Sequence, residues 1–90
     1  MFENLTSTKG LSHERLQALI LLGDSGSLIA AAGGDSGLQS RLSHRIRELS
    51  EFFGTELTTK VGKSIKLTPA GESLVQIARD HFLSLQAFRD

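Results

Sequence analysis

Residues 27–54 read SLIAAAGGDSGLQSRLSHRIRELSEFFG, and this stretch decides the fold. A short apolar run follows Ser27, glycines interrupt it over residues 33–37, and a longer amphipathic run ends at Gly54. Ser27 and Ser36 are the expected N-caps of two helices, because a serine hydroxyl accepts a hydrogen bond from a free N–H of the first turn. Gly54 is expected to end the second helix. Two helices joined by a short glycine-containing turn predict a helix-turn-helix.

The second helix of this pair, about residues 37–53, is amphipathic. Its apolar residues recur at helical spacing and form one stripe, which contains Leu38, Leu42, Ile46, Leu49 and Phe53. Polar and basic side chains occupy the opposite side. The stripe should therefore pack against a core and leave the other face open to a partner.

The sequence before this pair predicts one further helix. Residues 1–11 are polar and are expected to form a flexible leader. Ser12 is a plausible N-cap for the helix that follows, whose leucine and isoleucine residues recur at helical spacing. Gly23 is expected to end that helix.

The sequence after the pair changes to an alternating, β-branched pattern. Residues 56–60 and 64–68 predict two short strands joined at Val61-Gly62-Lys63, which form a hairpin or wing over about residues 57–67. Thr68-Pro69 then predicts the start of a long last helix. The expected fold is mostly α with a small β-hairpin: a winged helix-turn-helix over residues 12–68 and a dimerisation helix over residues 69–90.

The last helix has more apolar surface than a single small domain needs. Its surplus predicts a two-fold dimer. The expected interface residues are Leu74, Ile77, Ala78, His81, Leu85 and Phe88. The other interpretation is that this helix only closes the core.

The length and composition exclude several classes of protein. The chain has 90 residues and no Cys, so it forms one small domain without a disulfide framework or a thiolate site. The apolar run at residues 16–22 is too short to span a bilayer. The N-terminal residues lack a signal-peptide pattern, and we expect a cytoplasmic protein.

The sequence contains no arrangement typical of an enzyme. No paired carboxylates, nucleophile–base set or phosphate-binding glycine loop stands out, so we expect a non-enzyme without a cofactor. His13, His44 and His81 lie on separate expected elements without ligand spacing, and no metal site is expected. We also expect no membrane partner and no small-molecule effector bound by this segment.

The charge is unevenly distributed along the chain. Ten basic and ten acidic side chains give a formal net charge of zero, which argues against a nucleic-acid partner. Residues 38–68 nevertheless carry six basic and three acidic side chains, a net charge of +3, between two acidic ends. This distribution is either a scatter of solvated charges or a basic face for phosphate contact.

On the second interpretation, residues 37–53 are a recognition helix for the DNA major groove, and residues 57–67 are a wing on the backbone or minor groove. Gln39 suits a bidentate contact to adenine, and Arg41 or Arg47 suits guanine. The candidate DNA-binding residues are Ser27, Gln39, Ser40, Arg41, Ser43, His44, Arg47, Lys60, Lys63 and Lys66. Each also has a simpler interpretation as a solvated polar residue.

A set of motifs in register from about residue 16 to residue 74 carries a family resemblance. The motifs are Gly26-Ser27-Leu28 with Ala31-Ala32, Gln39-Ser40-x-Leu42-Ser43-x-x-Ile46-x-x-Leu49, Phe53-Gly54-x-x-Leu57, Gly62 and Leu67-Thr68-Pro69-Ala70-Gly71. Together they resemble the N-terminal winged helix-turn-helix of LysR-type transcriptional regulators. The resemblance implies a DNA-binding domain that dimerises through its last helix, with Ser27 approaching a phosphate and Gln39 and Ser40 at the base edges.

The sequence departs from this family pattern at several positions. Asp35 and Gly37 stand where the family usually has apolar residues in the turn, and Ala30 stands where a basic residue is frequent. His44 and Lys60 stand at positions where the family commonly has arginine. Asp35, the glycine-rich turn, Ala30 and the zero net charge favour an alternative function, a protein–protein interaction module that keeps the fold but binds DNA weakly or not at all. Gln39, Arg41, Arg47 and the three wing lysines favour DNA binding.

Overall fold

The computed structural model describes residues 10–90, which form four helices and a two-stranded antiparallel sheet. The elements in chain order are α1 (His13–Ser25), α2 (Leu28–Ala32), α3 (Ser36–Phe53), β1 (Thr58–Val61), β2 (Ser64–Leu67) and α4 (Pro69–Arg89). This order confirms the predicted winged helix-turn-helix with a long last helix. Within residues 10–90, no helix combines the length and apolarity needed to cross a lipid bilayer.

Most of the expected leader lies outside the described residues. The two leader residues that the structure describes are packed against the domain. Gly10 is buried close to Phe52, and Leu11 is half-buried against the core.

Two of the predicted helix caps are confirmed. The Ser12 hydroxyl accepts a hydrogen bond from the backbone N–H of Arg15 at 3.1 Å, and the Ser27 hydroxyl accepts one from the N–H of Ala30 at 3.2 Å. Each hydroxyl satisfies a backbone donor that has no partner within its helix. The two serines therefore determine where α1 and α2 begin.

The predicted end of α1 at Gly23 is wrong. The helix continues to Ser25, and Gly26 takes the left-handed conformation at its C-terminus with φ of 87°. Gly23 lies instead on the buried side of α1, close to Leu67 and Val75. Its missing side chain lets the wing and α4 approach the helix, so this glycine is a packing residue and not a helix terminator.

The predicted N-cap of α3 is also wrong by one residue. Ser36 is the first residue of the helix, and Asp35 is the cap, with its carboxylate accepting a hydrogen bond from the N–H of Leu38 at 3.0 Å. An aspartate at this position also interacts favourably with the positive end of the helix dipole. The departure from the family pattern at Asp35 therefore has a structural function.

The turn between α2 and α3 depends on two consecutive glycines. Gly33 and Gly34 have φ of 60° and 88°, in the left-handed region that other residues adopt at a cost. The N–H of Gly33 donates to the carbonyl of Ala30 at 3.2 Å, and the N–H of Asp35 donates to that of Ala32 at 3.1 Å. The glycine-rich sequence thus encodes a defined, hydrogen-bonded turn.

The core lies where α1, α2 and α3 meet beneath the hairpin and α4. Its buried hydrophobic residues are Ala18, Leu19, Leu22, Leu28, Ala32, Leu42, Ile46, Leu49, Leu57 and Val75. Leu42, Ile46 and Leu49 belong to the predicted stripe of α3 and are buried, whereas Phe53 at the end of the stripe is 38% exposed. This packing fixes which face of α3 points outwards.

The junction between the wing and α4 explains the Leu67-Thr68-Pro69-Ala70-Gly71 motif. The Thr68 hydroxyl donates to the carbonyl of Glu56 at 2.8 Å and accepts from the N–H of Gly71 at 3.0 Å. The N–H of Thr68 donates to the carbonyl of Leu57 at 3.0 Å. A Cβ at Gly71 would overlap the Leu57 carbonyl oxygen, so only glycine allows α4 to begin this close to the wing.

The apolar surface of α4 divides between the core and solvent. Val75 and Ala78 are buried, at 7% and 1% exposure, whereas Ile77 and Phe88 are 64% and 93% exposed. An ion pair between Arg79 and Asp24 connects α4 to α1. The long helix therefore uses one side for its own domain and leaves a second apolar side uncovered.

We expect Asp35→Ala to lower the free energy of unfolding by about 1 kcal/mol, because it removes the N-cap of α3. Ser36→Ala, the matched control one residue along the chain, should change it by less than about 0.5 kcal/mol, because Ser36 is not the cap. Urea unfolding followed by circular dichroism measures both. A larger loss for Ser36→Ala than for Asp35→Ala would contradict this assignment.

Candidate nucleic-acid interface

The outward face of α3 brings together four of the residues that the sequence predicted to contact DNA. Gln39, Ser40, Ser43 and Arg47 line a shallow groove of about 490 Å³, which Ile65 of the wing closes on one side. They share this face because they lie opposite the buried stripe of α3. The groove therefore presents hydrogen-bonding side chains from a rigid helix, with the wing directly beside them.

The structure separates the other two predicted residues of α3 from this groove. Arg41 and His44 lie on the flank of α3 that faces α1, in a depression of about 630 Å³. The other residues that line this depression are Ser12, Glu14, Arg15, Ser40, Arg45 and Glu48. The helix thus carries two polar surfaces, one towards the wing and one towards α1.

Ion pairs across the α1–α3 flank neutralise two of its arginines. The Arg15 Nε donates to Glu48 Oε1 at 3.1 Å, and Arg45 Nη2 lies 3.7 Å from Glu14 Oε2. His44 Nε2 lies 3.5 Å from the same Glu48 oxygen and is mostly exposed. Arg45 therefore faces α1, while His44 keeps an accessible edge.

Glu48 is the electrostatic centre of this flank. The hydrogen bond from Arg15 holds the pKa of the Glu48 carboxyl below its ordinary value of 4.5, and the nearby positive charges of Arg15, His44 and Arg47 act in the same direction. Its partial burial opposes this effect because burial disfavours the charged form. The carboxylate therefore joins α1 to α3 by a charge-assisted contact.

The hairpin register separates the three wing lysines. Lys60 pairs with Ile65 and Lys66 pairs with Thr59 across the strands, so Lys60 and Lys66 lie on opposite faces. Lys63 occupies the two-residue loop at the tip, next to Gly62, whose φ of 63° suits the tight turn. Lys60 shares the face of Ile65 and lies on the α3 side, and Lys66 lies on the outer side.

Five exposed cations remain without an ion-pair partner among residues 10–90. They are Arg41, Arg47, Lys60, Lys63 and Lys66. Arg47 and Glu51, which are four residues apart on α3, do not form an ion pair. The five cations are therefore available to anionic groups. Arg47 lines the α3 groove and Lys60 lies on the α3 side of the wing. Arg41, Lys63 and Lys66 lie on the α1 flank, at the wing tip and on the outer face of the wing.

Acidic side chains limit this basic surface at one end. Glu51 and Glu56 line the groove between the C-terminal half of α3 and the wing, which has a volume of about 590 Å³. The stretch of α3 from Gln39 to Arg47 is therefore the part suited to a polyanion. Ser27 lies at the start of α2 with its hydroxyl oxygen engaged as the N-cap, which leaves its proton free to donate.

A second surface, on α1 and α4, carries the predicted dimerisation residues. A predominantly apolar groove of about 650 Å³ runs between the two helices. Its lining includes Leu11, Leu16, Phe53, Leu74, Ile77, Ala78 and His81, and Ala78 forms part of its floor because it is only 1% exposed. Leu85 and Phe88 continue the exposed apolar side of α4 beyond the groove.

Sequence reasoning missed one pair at the edge of this groove. His13 Nε2 and His81 Nε2 lie 3.1 Å apart, although the residues are 68 positions apart in the chain. Neither ligand spacing nor helical periodicity could relate two residues on different elements. Residues 10–90 contain no cluster of three or more histidine, aspartate or glutamate side chains arranged to hold a metal ion.

Comparison with known proteins identifies similar sequences. Residues 13–72 match the family of bacterial regulatory helix-turn-helix proteins, lysR family. The HTH-type transcriptional regulator MetR of Salmonella typhimurium is 38% identical over 65 residues, which are 72% of this chain and 20% of that protein. The chain thus spans about a fifth of the length of this relative.

Solved structures share the fold. The DNA-binding domain of BenM in its complex with benA site 1 DNA superposes with a TM-score of 0.72 at 23% identity, covering 87% of this chain and 88% of that one. Vibrio fischeri DarR in complex with DNA superposes with a TM-score of 0.69 at 28% identity, covering 86% of this chain and 26% of that one. The described fold is therefore that of LysR-family DNA-binding domains.

We expect Glu48→Gln to destabilise the domain at neutral pH and to matter less as the pH falls. The pKa of Glu48 is lowered in the folded state, so the carboxylate favours folding above pH 4.5, and this contribution is lost as the pH falls through the lowered value. The difference in unfolding free energy between the variant and the wild type should shrink below pH 4.5 in urea titrations.

Glu51→Gln is the control for this measurement, because Glu51 is exposed and has no ion-pair partner among residues 10–90. Its effect on the unfolding free energy should be smaller at neutral pH. A Glu48→Gln effect that is independent of pH would contradict the role of the charge.

Proposed function

The chain belongs to the lysR family of bacterial regulatory helix-turn-helix proteins, and from this premise we propose that it binds double-stranded DNA sequence-specifically as a dimeric transcriptional regulator. The observation that carries the proposal is the outward face of α3, where Gln39, Ser43 and Arg47 stand together beside the wing. Its polar side chains are held by a helix whose opposite face is locked in the core. Relatives of this chain are themselves named as transcriptional regulators.

In this proposal, α3 (residues 37–53 in the sequence prediction) enters the major groove. Gln39 reads adenine and Arg47 reads guanine, because both can form two hydrogen bonds to a base edge. Ser40 and Ser43 are short donors that permit a close approach to bases or phosphates. Because the guanidinium of Arg47 has no ion-pair partner among residues 10–90, it breaks no ion pair with them when it turns to DNA.

The flanks of the recognition surface are assigned to the DNA backbone. Arg41 and His44 lie on the α1 side of α3, which suits contacts to one strand of phosphates. The wing lysines Lys60 and Lys63 lie on the other side and suit the backbone or minor groove, and Lys66 on the outer face adds long-range attraction. Ser27 is assigned to a phosphate at the start of α2, as the family resemblance implies.

The exposed apolar side of α4 supports the dimeric part of the proposal. Ile77, Leu85 and Phe88 are 64%, 47% and 93% exposed, which is unusual for large apolar side chains on one helix side. A second copy of the chain would cover this side and the adjoining groove, with Leu74, Ala78 and His81 at or near the contact. Two half-sites bound together would raise the affinity of a weakly charged domain.

The alternative function is a protein–protein interaction module. The same apolar side of α4 favours it, as do Glu51 and Glu56 beside the wing and the exposed, uncharged Ala30 on α2. In that case DNA binding would be weak or absent. A DNA-binding regulator would also act in the cytoplasm. A measurement of DNA binding against salt concentration separates the two functions, because only the DNA-binding function returns an affinity that falls with salt.

We expect the dimer to bind sites selected from a random DNA pool with an affinity that falls linearly in a log–log plot against salt concentration. Each phosphate neutralised contributes a slope of about −0.9. Arg47→Ala should weaken a selected site by about 1–3 kcal/mol while changing binding to random DNA less. Lys63→Ala should weaken both equally and make the slope less steep.

Arg89→Ala is the charge-matched control, because Arg89 lies at the far end of α4 and pairs with Asp90. It should leave both the affinity and the slope unchanged. Binding that is undetectable at low salt, or that shows no salt dependence, would overturn the proposal in favour of the interaction module. Equal effects of Arg47→Ala on selected and random DNA would contradict its role in base recognition.

We expect Leu85→Asp to convert the dimer to a monomer in sedimentation velocity, because it places a charge on the uncovered apolar side of α4. Leu83→Asp is the matched control, since Leu83 is 62% exposed on the same helix but points away from that side. The control should remain dimeric. If Leu85→Asp remains dimeric while Leu83→Asp dissociates, the interface lies on the other side of the helix.

A further inference from the structure

Two imidazole rings meet where the start of α1 lies against α4. His13 is the first residue of α1 and His81 lies in the second half of α4, and both are exposed to solvent. Their Nε2 atoms are 3.1 Å apart and their ring centroids are 5.2 Å apart. With both rings neutral, one Nε2 donates its proton to the lone pair of the other, so the two nitrogen atoms face each other.

We propose that His13 and His81 form a two-histidine binding site for a first-row divalent transition metal ion, of which Zn²⁺ is the probe. Neutral imidazole is a preferred ligand of Zn²⁺, Ni²⁺ and Cu²⁺. The metal replaces the proton shared between the two Nε2 atoms, and each ring then carries its proton on Nδ1. This assignment does not depend on DNA binding.

The distance between the two nitrogen atoms fits a shared metal ion. A zinc–nitrogen bond is about 2.0–2.1 Å long. Two such bonds at a tetrahedral angle place the nitrogen atoms about 3.3 Å apart, and at a right angle about 2.9 Å apart. The observed 3.1 Å lies between these values. The rings therefore need only small adjustments to chelate one ion.

The surroundings hold the rings in this arrangement. Phe82 contacts both histidines, with ring centroids 5.3 Å from His13 and 5.5 Å from His81. The ion pair between Arg79 and Asp24 connects the same two helices further along. Ligands that project from packed helices are placed more accurately than ligands on loops.

The ligand set also determines the class of metal. No third histidine, aspartate or glutamate of residues 10–90 joins the pair in a metal-binding cluster. In the proposed site, water completes the coordination. The two imidazole nitrogen atoms are the protein ligands, and they make the site selective for ions that prefer nitrogen ligands. Mg²⁺ and Ca²⁺ prefer several oxygen ligands and should not bind.

A metal ion at this site would stabilise the folded chain. The two histidines are 68 positions apart, so the unfolded chain does not present them as a pair. An ion that binds the folded state alone raises the melting temperature, and the stabilisation grows with the logarithm of the free ion concentration above its Kd. Binding should weaken on acidification, because a protonated imidazole cannot act as a ligand.

The test uses the 90-residue chain without an affinity tag. Thermal unfolding is followed at increasing Zn²⁺ concentration, with Mg²⁺ as the negative control, and isothermal titration calorimetry gives the stoichiometry. The variants are His13→Gln and His81→Gln, and the matched control is His44→Gln, which removes an exposed histidine outside the pair.

Zn²⁺ should raise the melting temperature of the wild type and of His44→Gln, with one ion bound per chain. Each of His13→Gln and His81→Gln should lose this shift and at least tenfold in Zn²⁺ affinity. The absence of any shift in the wild type, or an equal shift in His13→Gln, would overturn the proposal. Should His81→Gln fail to fold, His13→Gln decides the outcome, because His13 is an exposed residue at the first position of α1.

Discussion

The packing of α3 against α1 is the constraint on which the rest of the structure depends. Leu42, Ile46 and Leu49 of α3 are buried with Leu19 and Leu22 of α1 in the core. A helix whose one side is buried in this way has no rotational freedom, so the side chains on its opposite side keep fixed positions. The recognition surface is therefore a consequence of core packing, and a polar substitution in the stripe would disturb the interface without touching it.

Glycine residues and helix caps determine the backbone geometry at the turns between these packed elements. Gly33 and Gly34 allow the chain to reverse between α2 and α3, and Asp35 then caps the new helix. Gly71 performs a different function at the other end of the wing, where it allows α4 to start against the Leu57 carbonyl. Each of these residues allows a local backbone conformation or a close approach that most other residues would not. Together they determine the orientation of α3 and the wing relative to the core.

The surface of α3 has an ion-paired side towards α1 and a side towards the wing that forms no ion pair with residues 10–90, although the net charge of the chain is zero. Glu48 and Glu14 neutralise Arg15 and Arg45, so that the flank towards α1 is held together by ion pairs. Of the cations left without partners among residues 10–90, Arg47 lines the groove beside the wing and Lys60 lies on the wing face towards it. The acidic residues of the domain thus act partly as structural partners of arginines, which leaves the remaining cations for a polyanion.

The sequence by itself determined the number and order of the elements in residues 10–90, since caps, helical periodicity and strand alternation are local signals between neighbouring residues. It also placed the α3 stripe correctly, but it misplaced two helix boundaries, because Gly23 and Ser36 resemble a terminator and a cap until their neighbours in space are known. Only the tertiary structure decided that Arg41 faces α1 while Arg47 faces the wing, and that His13 meets His81. The physical reason is that such contacts depend on how helices distant in the chain pack together, and the spacing of residues along one element carries no record of that packing.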